Sequence, residues 1–309
     1  MSNVSLGPGP EFDAIRELLA RWGTRANGIG DDGAVVNVPR GDRLVVSVDA
    51  SIEDHHFKAD WLTPREIGYR AVAAALSDIA AMAATPLGVL VALGIPASWR
   101  DRLSEIADGI GEAVDVARTH VLGGNLSDAD TLSITTTVLG SAFEPLARSG
   151  ARPGDRVYVT GRLGGADAAL RRLESAEALS PFHARFVRPV PRIDEARWLA
   201  DRGVSAAIDI SDGLVADARH IAAASGVGMD LDADRVPCMS GVAVELAIES
   251  GEEYELLVTS PRELDTIAFE SRFRVGLTQI GRVVAAPSGA VRVVGALVAN
   301  PRGHDHFSR

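Results

Sequence analysis

Residues 206–217 read AAIDISDGLVAD. A short apolar run ends in Asp209, a Ser211-Asp212-Gly213 turn follows, and apolar residues then resume at helical spacing with Asp217 among them. The pattern predicts a strand over 204–210 running straight into a helix over 212–225. It also crowds like charges at the strand end, where an unpaired carboxylate is costly.

The same alternation extends outward in both directions. Downstream, strands are expected at 254–259, 274–284 and 290–294. Upstream, a helix at 192–202 precedes the quoted strand, and RSGARPGDRVYVTGRLGGADAAL (148–170) is a Pro/Gly-rich boundary, a strand at 156–160, a glycine turn and a helix. The first half repeats the theme: a helix around Phe12–Trp22, a turn and strand over 28–38, and a strand at 43–50 ending in aspartate. A capped, alanine-rich helix at 63–84 comes next, then a strand at 87–95, a helix at 99–119, and strands near 120–123 and 131–143. The reading is an α/β chain of two domains, residues 1–147 and 148–309. The helix at 63–84 is apolar almost all round, so it should be buried.

Composition narrows the functions. At 309 residues, 46% hydrophobic and 24% charged, the chain is of ordinary globular type. A net charge of −11 argues against nucleic acid as the main partner. No apolar run approaches a membrane span, and MSNVSLGPGPEF lacks the regions of a signal peptide, so a cytoplasmic protein is expected. The single cysteine, Cys238, excludes an intrachain disulfide and a thiolate cluster. Lys58 is the sole lysine, which removes both the P-loop and the protein-kinase strand lysine. His55 and His56 beside Glu53 and Asp54 could suggest a transition-metal site, but none is expected, because neighbours on a strand point to opposite faces and no second histidine pair is evident.

Asp31 with Asp32, Asp49, Asp78, Asp209 and Asp212 all fall at strand ends or inside the buried helix. Each has a private explanation: Asp32 and Asp212 could cap turns, Asp78 could pair with Arg70, and Asp49 could be a strand-end accident. Taken together they suit hard dications shared with substrate phosphates. The glycines of GGNLS (123–127) and TGRLGG (160–165) follow strands and permit close backbone approach to phosphate, although neither forms a dinucleotide fingerprint.

Nine motifs then fall in one order: GIGDDGAVV (28–36), VSVDASIEDHHF (46–57), LSDIAAM (76–82), GGNLS, RSGARPGD (148–155), YVTGRLG (158–164), AIDISDGLVAD, GEEYEL (251–256) and GHDHF (303–307). Over nearly its whole length the chain resembles the thiamine-monophosphate kinase family. That family belongs with aminoimidazole ribonucleotide synthetase, selenophosphate synthetase and HypE. The resemblance implies a two-domain aminoimidazole ribonucleotide synthetase-like fold, with the amino-terminal halves of a homodimer forming a shared barrel. It implies ATP and several Mg²⁺ ions in a cleft between the domains, and transfer of phosphate from ATP to thiamine monophosphate without a general base. The amino-terminal half would bind ATP and metal and dimerise; the carboxyl-terminal half would complete the active site. Asp32, Ser47, the backbone of Val48, Asp49, Asp78, Asn125, Asp209 and Asp212 resemble the metal ligands. Gly124, Asn125, Arg148 and Ser211 would face ATP, and His56, Glu253 and His304 the thiamine phosphate.

Three positions depart from the family pattern. Asn125 stands where an aspartate ligand is usual, Glu253 replaces an aspartate, and His304 replaces an aromatic residue. The departures leave open a related ATP-dependent enzyme with another phosphate or acid acceptor, and a degenerate nucleotide-binding protein. A metal-dependent phosphatase acting without ATP is a weaker alternative.

Overall fold

A computed structural model describes residues 9–30, 32–175, 177 and 180–295. The chain divides into two compact units. One runs to Pro145 without Ala80–Ala83; the other takes those four residues and the chain from Leu146.

The first unit contains α1 (Pro10–Trp22), β1 (Arg43–Ile52), α2 (Pro64–Ala81), β2 (Thr85–Ile95), α3 (Leu103–Val116), β3 (Val121–Asp128) and β4 (Ser133–Ala142). Thr63 and Glu66 close the first turn of α2 reciprocally: the Glu66 carboxylate accepts the Thr63 N–H at 2.8 Å, and the Glu66 N–H donates to Thr63 Oγ1 at 3.3 Å. Pro64 occupies the first helical position, where its missing N–H costs nothing. The strands order as β1-β4-β2-β3, with β2 and β3 parallel and the other pairs antiparallel. Val45 and Ser47 on β1 share a face with Thr136 and Val138 on β4, by register. That face meets α2, whose Ile79 packs against Gly140. The opposite face of β1 presents Leu44, Val46 and Val48 at 50%, 54% and 62% exposure.

The second unit contains β5 (Arg156–Thr160), α4 (Gly165–Glu174), α5 (His183–Val187), α6 (Ile193–Ala200), β6 (Ala206–Asp209) and α7 (Leu214–Ser225). These are followed by β7 (Gly228–Asp232), α8 (Val244–Glu249), β8 (Leu256–Ser260), α9 (Thr266–Phe273), β9 (Leu277–Val284) and β10 (Val291–Val294). Its sheet runs β10-β7-β9-β5-β8-β6, antiparallel but for β10 with β7. Strand alternation sorts side chains into two cores. Val157, Val159, Ile208 and Leu257 pack with Val215, Ile221 and Ile248 of α7 and α8. Tyr158, Ala207 and Val258 pack with Leu199 and Phe269 of α6 and α9.

The structure differs from the sequence reading in detail. No strand forms over 34–38; that stretch is irregular, with Val35 exposed at 69%, and the turn residue Pro39 follows it. The expected helix at 99–119 opens as a 3₁₀ turn over Ala97–Arg102 before α3 begins. β7 was not anticipated, because five residues directly after a helix give too short a pattern to read. Among the described residues no helix is long and apolar enough to cross a membrane.

Candidate functional site

In the first unit the sheet and α2 bring two carboxylates together. The Ser47 hydroxyl donates to Asp78 Oδ2 at 2.5 Å, tying β1 to the last turns of α2. Asp49 lies two residues on, on the same face of the strand. Burial of its carboxyl raises its pKa, the Ala50 N–H (2.7 Å to Oδ1) opposes this, and the Asp78 charge raises it further. His56 and the buried Arg70 act on Asp49 in the lowering direction. Asp78 is half-buried rather than fully enclosed.

His56 Nδ1 accepts the Ile52 N–H at 3.2 Å, so the neutral ring carries its proton on Nε2. The turn that places it is held by Glu53, whose carboxylate accepts Trp99 Nε1–H at 3.1 Å and the Leu132 N–H at 3.2 Å. Asp54 adopts φ 65° to close that turn, and its N–H donates to Phe57 C=O at 2.7 Å. The sequence names Glu53 only as a neighbour of His55 and His56 and does not show this role; its indole partner lies 46 residues away.

Asp32, Gly124 and Asn125 line a separate cavity of about 720 Å³, together with Phe12, Ile15 and Trp22 of α1 and Thr135 and Thr137 of β4. A side chain at Gly124 would put its Cβ 1.9 Å from the Val91 carbonyl, so bare backbone is obligatory there. Gly124, Val91, Thr136 and Asp49 form one row across the sheet, from edge to edge. Asp49 and Asn125 therefore sit on opposite edge strands, roughly three strand spacings of ~4.8 Å apart. The structure does not bring them together within one chain.

In the second unit β6 delivers a buried Asp209 and the turn 211–213 leads into α7. Gly213 has φ 120° and ψ 148°, a conformation only glycine adopts freely. Asp217, 1% exposed in the first turn of α7, accepts the N–H groups of Ser211 (3.1 Å), Asp212 (3.1 Å) and Gly213 (3.2 Å) on its Oδ2. Burial, then the Asp212 and Asp209 charges, push its carboxyl up to about 8 in spite of those donors. Ligand atoms of Asp212, Asp217 and His220 lie within 4.8 Å of one another. Ser211 is half-exposed, and its C=O accepts the Glu252 N–H at 2.7 Å. Arg148 is exposed; its own C=O accepts the Ser225 hydroxyl at 3.2 Å.

Glu253 is held among protein donors. Its side chain is fully buried, and it accepts the Gly164 and Ala166 N–H groups at 2.8 and 3.0 Å, the Ser250 hydroxyl at 2.5 Å and Arg185 Nη2 at 3.2 Å. The carboxylate closes the amino end of α4, with Oε1 taking the two backbone N–H groups and the Ser250 hydroxyl and Oε2 facing Arg185. Beside it, Glu255 is gripped by Arg192 at 2.5 and 2.8 Å, with Arg185 and Thr160 completing the set. Burial works against the Glu255 charge, but the guanidinium of Arg192 prevails and holds the carboxyl below the ordinary glutamate range. Asp31 and His304 lie outside the described residues.

Every side-chain donor among Ser47, Asp49, Asp78, Asp209 and Asp212 is an oxygen. Asp49 and Asp217 have carboxyls raised partly by neighbouring carboxylates, a repulsion that a dication relieves. The residues therefore fit Mg²⁺.

Two domain models match the chain: AIR synthase related protein, N-terminal domain, over residues 30–142, and its C-terminal domain over 152–294. Fold and site thus define a two-domain α/β protein of the AIR synthase related class. The thiamine-monophosphate kinase of Salmonella typhimurium is 36% identical over 96% of both chains. The crystal structure of the thiamine-monophosphate kinase from Stenotrophomonas maltophilia superposes with a TM-score of 0.80 at 29% identity, covering 96% of this chain and 99% of that one. AaThiL, solved in complex with AMPPCP and TMP, gives 0.78 at 30% identity, covering 96% and 97%. The chain belongs to the thiamine-monophosphate kinase family and is an enzyme of the phosphotransferase class.

Proposed function

We propose that this chain transfers the γ-phosphoryl group of ATP in line to the phosphate of thiamine monophosphate, giving thiamine diphosphate and ADP. The observation that carries the reading is the near full-length likeness to AaThiL, which was solved with AMPPCP and TMP bound. The attacking phosphate oxygen is already anionic at neutral pH, so no side chain has to remove a proton. What the chain must do is position two polyanions and offset their repulsion. Mg²⁺, when bound, supplies that positive charge.

Asp49, Asp78, Ser47 and the Val48 carbonyl would hold metal in the residue 1–147 domain, with Asp32 and Asn125 as further ligands at the cavity. Asp209 and Asp212 would hold it in the 148–309 domain. Gly124, Asn125, Arg148 and Ser211 would contact ATP. His56 would donate its Nε2–H to the thiamine phosphate, with His304 as a further contact. Glu253 would lie near the thiamine phosphate from its place at the amino end of α4.

The apolar, exposed row Leu44, Val46 and Val48 on an edge strand supports homodimerisation through the amino-terminal sheet. A second copy would cover that face and extend the sheet toward a barrel.

ADP release over a panel of acceptors tests the reading. Release only with thiamine monophosphate is expected. Release with a different phosphate or acid, or ATP binding without turnover, would replace it.

A further inference from the structure

We infer that Asp217 is a positioning residue: its carboxylate fixes the 211–213 turn so that Asp209 and Asp212 are held ready for a divalent cation. The inference rests on the proposed metal role of those two aspartates. Three successive N–H groups at the start of a twelve-residue helix form an anion-binding nest. Left open, it would favour a phosphate or another outside anion. Here the occupant is internal, with Asp217 Oδ2 taking all three donors at 3.1–3.2 Å. The positive end of the helix is thereby satisfied from within, and the turn offers a solute its carboxylates rather than its amides.

The anchor is rigid. Asp217 is 1% exposed, and its own N–H is bound to the Gly213 carbonyl at 2.9 Å. On the far side the turn is braced by the Glu252 N–H on the Ser211 carbonyl, and a Cβ at Gly251 would come within 2.7 Å of that oxygen. Held between two fixed points, the turn has little freedom to rearrange when a cation arrives. Groups that orient ligands in this way typically matter ~10–100-fold in metal affinity.

The test titrates Mn²⁺ into the purified full-length protein and reads bound metal by electron paramagnetic resonance. Asp217→Ala is expected to bind Mn²⁺ ~10–100-fold more weakly. Asp217→Asn, whose amide oxygen still accepts from the turn, should stay close to wild type. In turnover, the Ala variant should need more Mg²⁺ for half-maximal rate while KM for thiamine monophosphate at saturating Mg²⁺ is unchanged. Wild-type affinity in Asp217→Ala would overturn the inference. So would an Asn variant as weak as the Ala one, since Asp217 would then be a ligand itself. If Asp209→Asn and Asp212→Asn both bind Mn²⁺ normally, the metal reading fails and the inference falls with it. Should Asp217→Ala not fold, Gly213→Ala disturbs the same turn with Asp217 intact; weaker Mn²⁺ binding is expected, and unchanged binding would overturn the inference.

Discussion

Asp78 occupies a helix whose neighbours on either side, Ser77 and Ile79, are wholly buried, and it accepts the Ser47 hydroxyl. A carboxylate kept there in a structural role would be replaceable by asparagine, which accepts the same hydrogen bond. A metal ligand would not, because the charge is what binds. We therefore expect Asp78→Asn and Asp49→Asn to lower turnover by more than the ~10–100-fold typical of outer-shell changes, with little shift in melting temperature. Near-normal activity at limiting Mg²⁺ would remove both from the ligand set. The sequence announced Asp78 because a charge in an apolar helix stands out. It showed Asp217 among the crowded charges but not what Asp217 and Glu53 bind, since their partners are backbone amides and an indole that only the fold brings close.

Among elements, the strand–turn–helix β6–α7 was readable because its apolar run, glycine and helical periodicity agree with one another. The placement of Glu253, in the loop 251–255, near the substrate came from the motif resemblance, because no local pattern shows which way its acidic residues face. The fold turns Glu253 and Glu255 inward, with Glu252 and Tyr254 at φ 58° and 51° to allow it. Arg192 and Glu255 then form a buried pair. Removing one partner strands the other, so Glu255→Gln should cost ~3–5 kcal/mol in thermal or urea denaturation, and Arg192→Met with Glu255→Gln together should cost less. The folded-state carboxyl of Glu255 lies below its unfolded value, so the pair's contribution is complete above about pH 4.3 and is lost as pH falls through the folded value. Wild type should lose melting temperature in that acid range, and the double variant should lose less. An equal loss in both would assign acid sensitivity elsewhere.

For the whole molecule, the alternation of strands and helices was legible in both halves. The sheet order was not, because β4 inserts between β1 and β2 through pairings that no local pattern encodes. That insertion leaves β1 at an edge with Leu44, Val46 and Val48 exposed. If the proposed homodimer forms through this face, Leu44→Asp with Val46→Asp should convert it to monomers in sedimentation while the chain stays folded; an unchanged mass would remove this face as the interface. The most direct measurement follows the γ-³²P of ATP in the presence of Mg²⁺ and thiamine monophosphate. We expect the label in thiamine diphosphate with equal ADP, and none there with Asp78→Ala. Label released as inorganic phosphate whether or not thiamine monophosphate is present would contradict direct transfer.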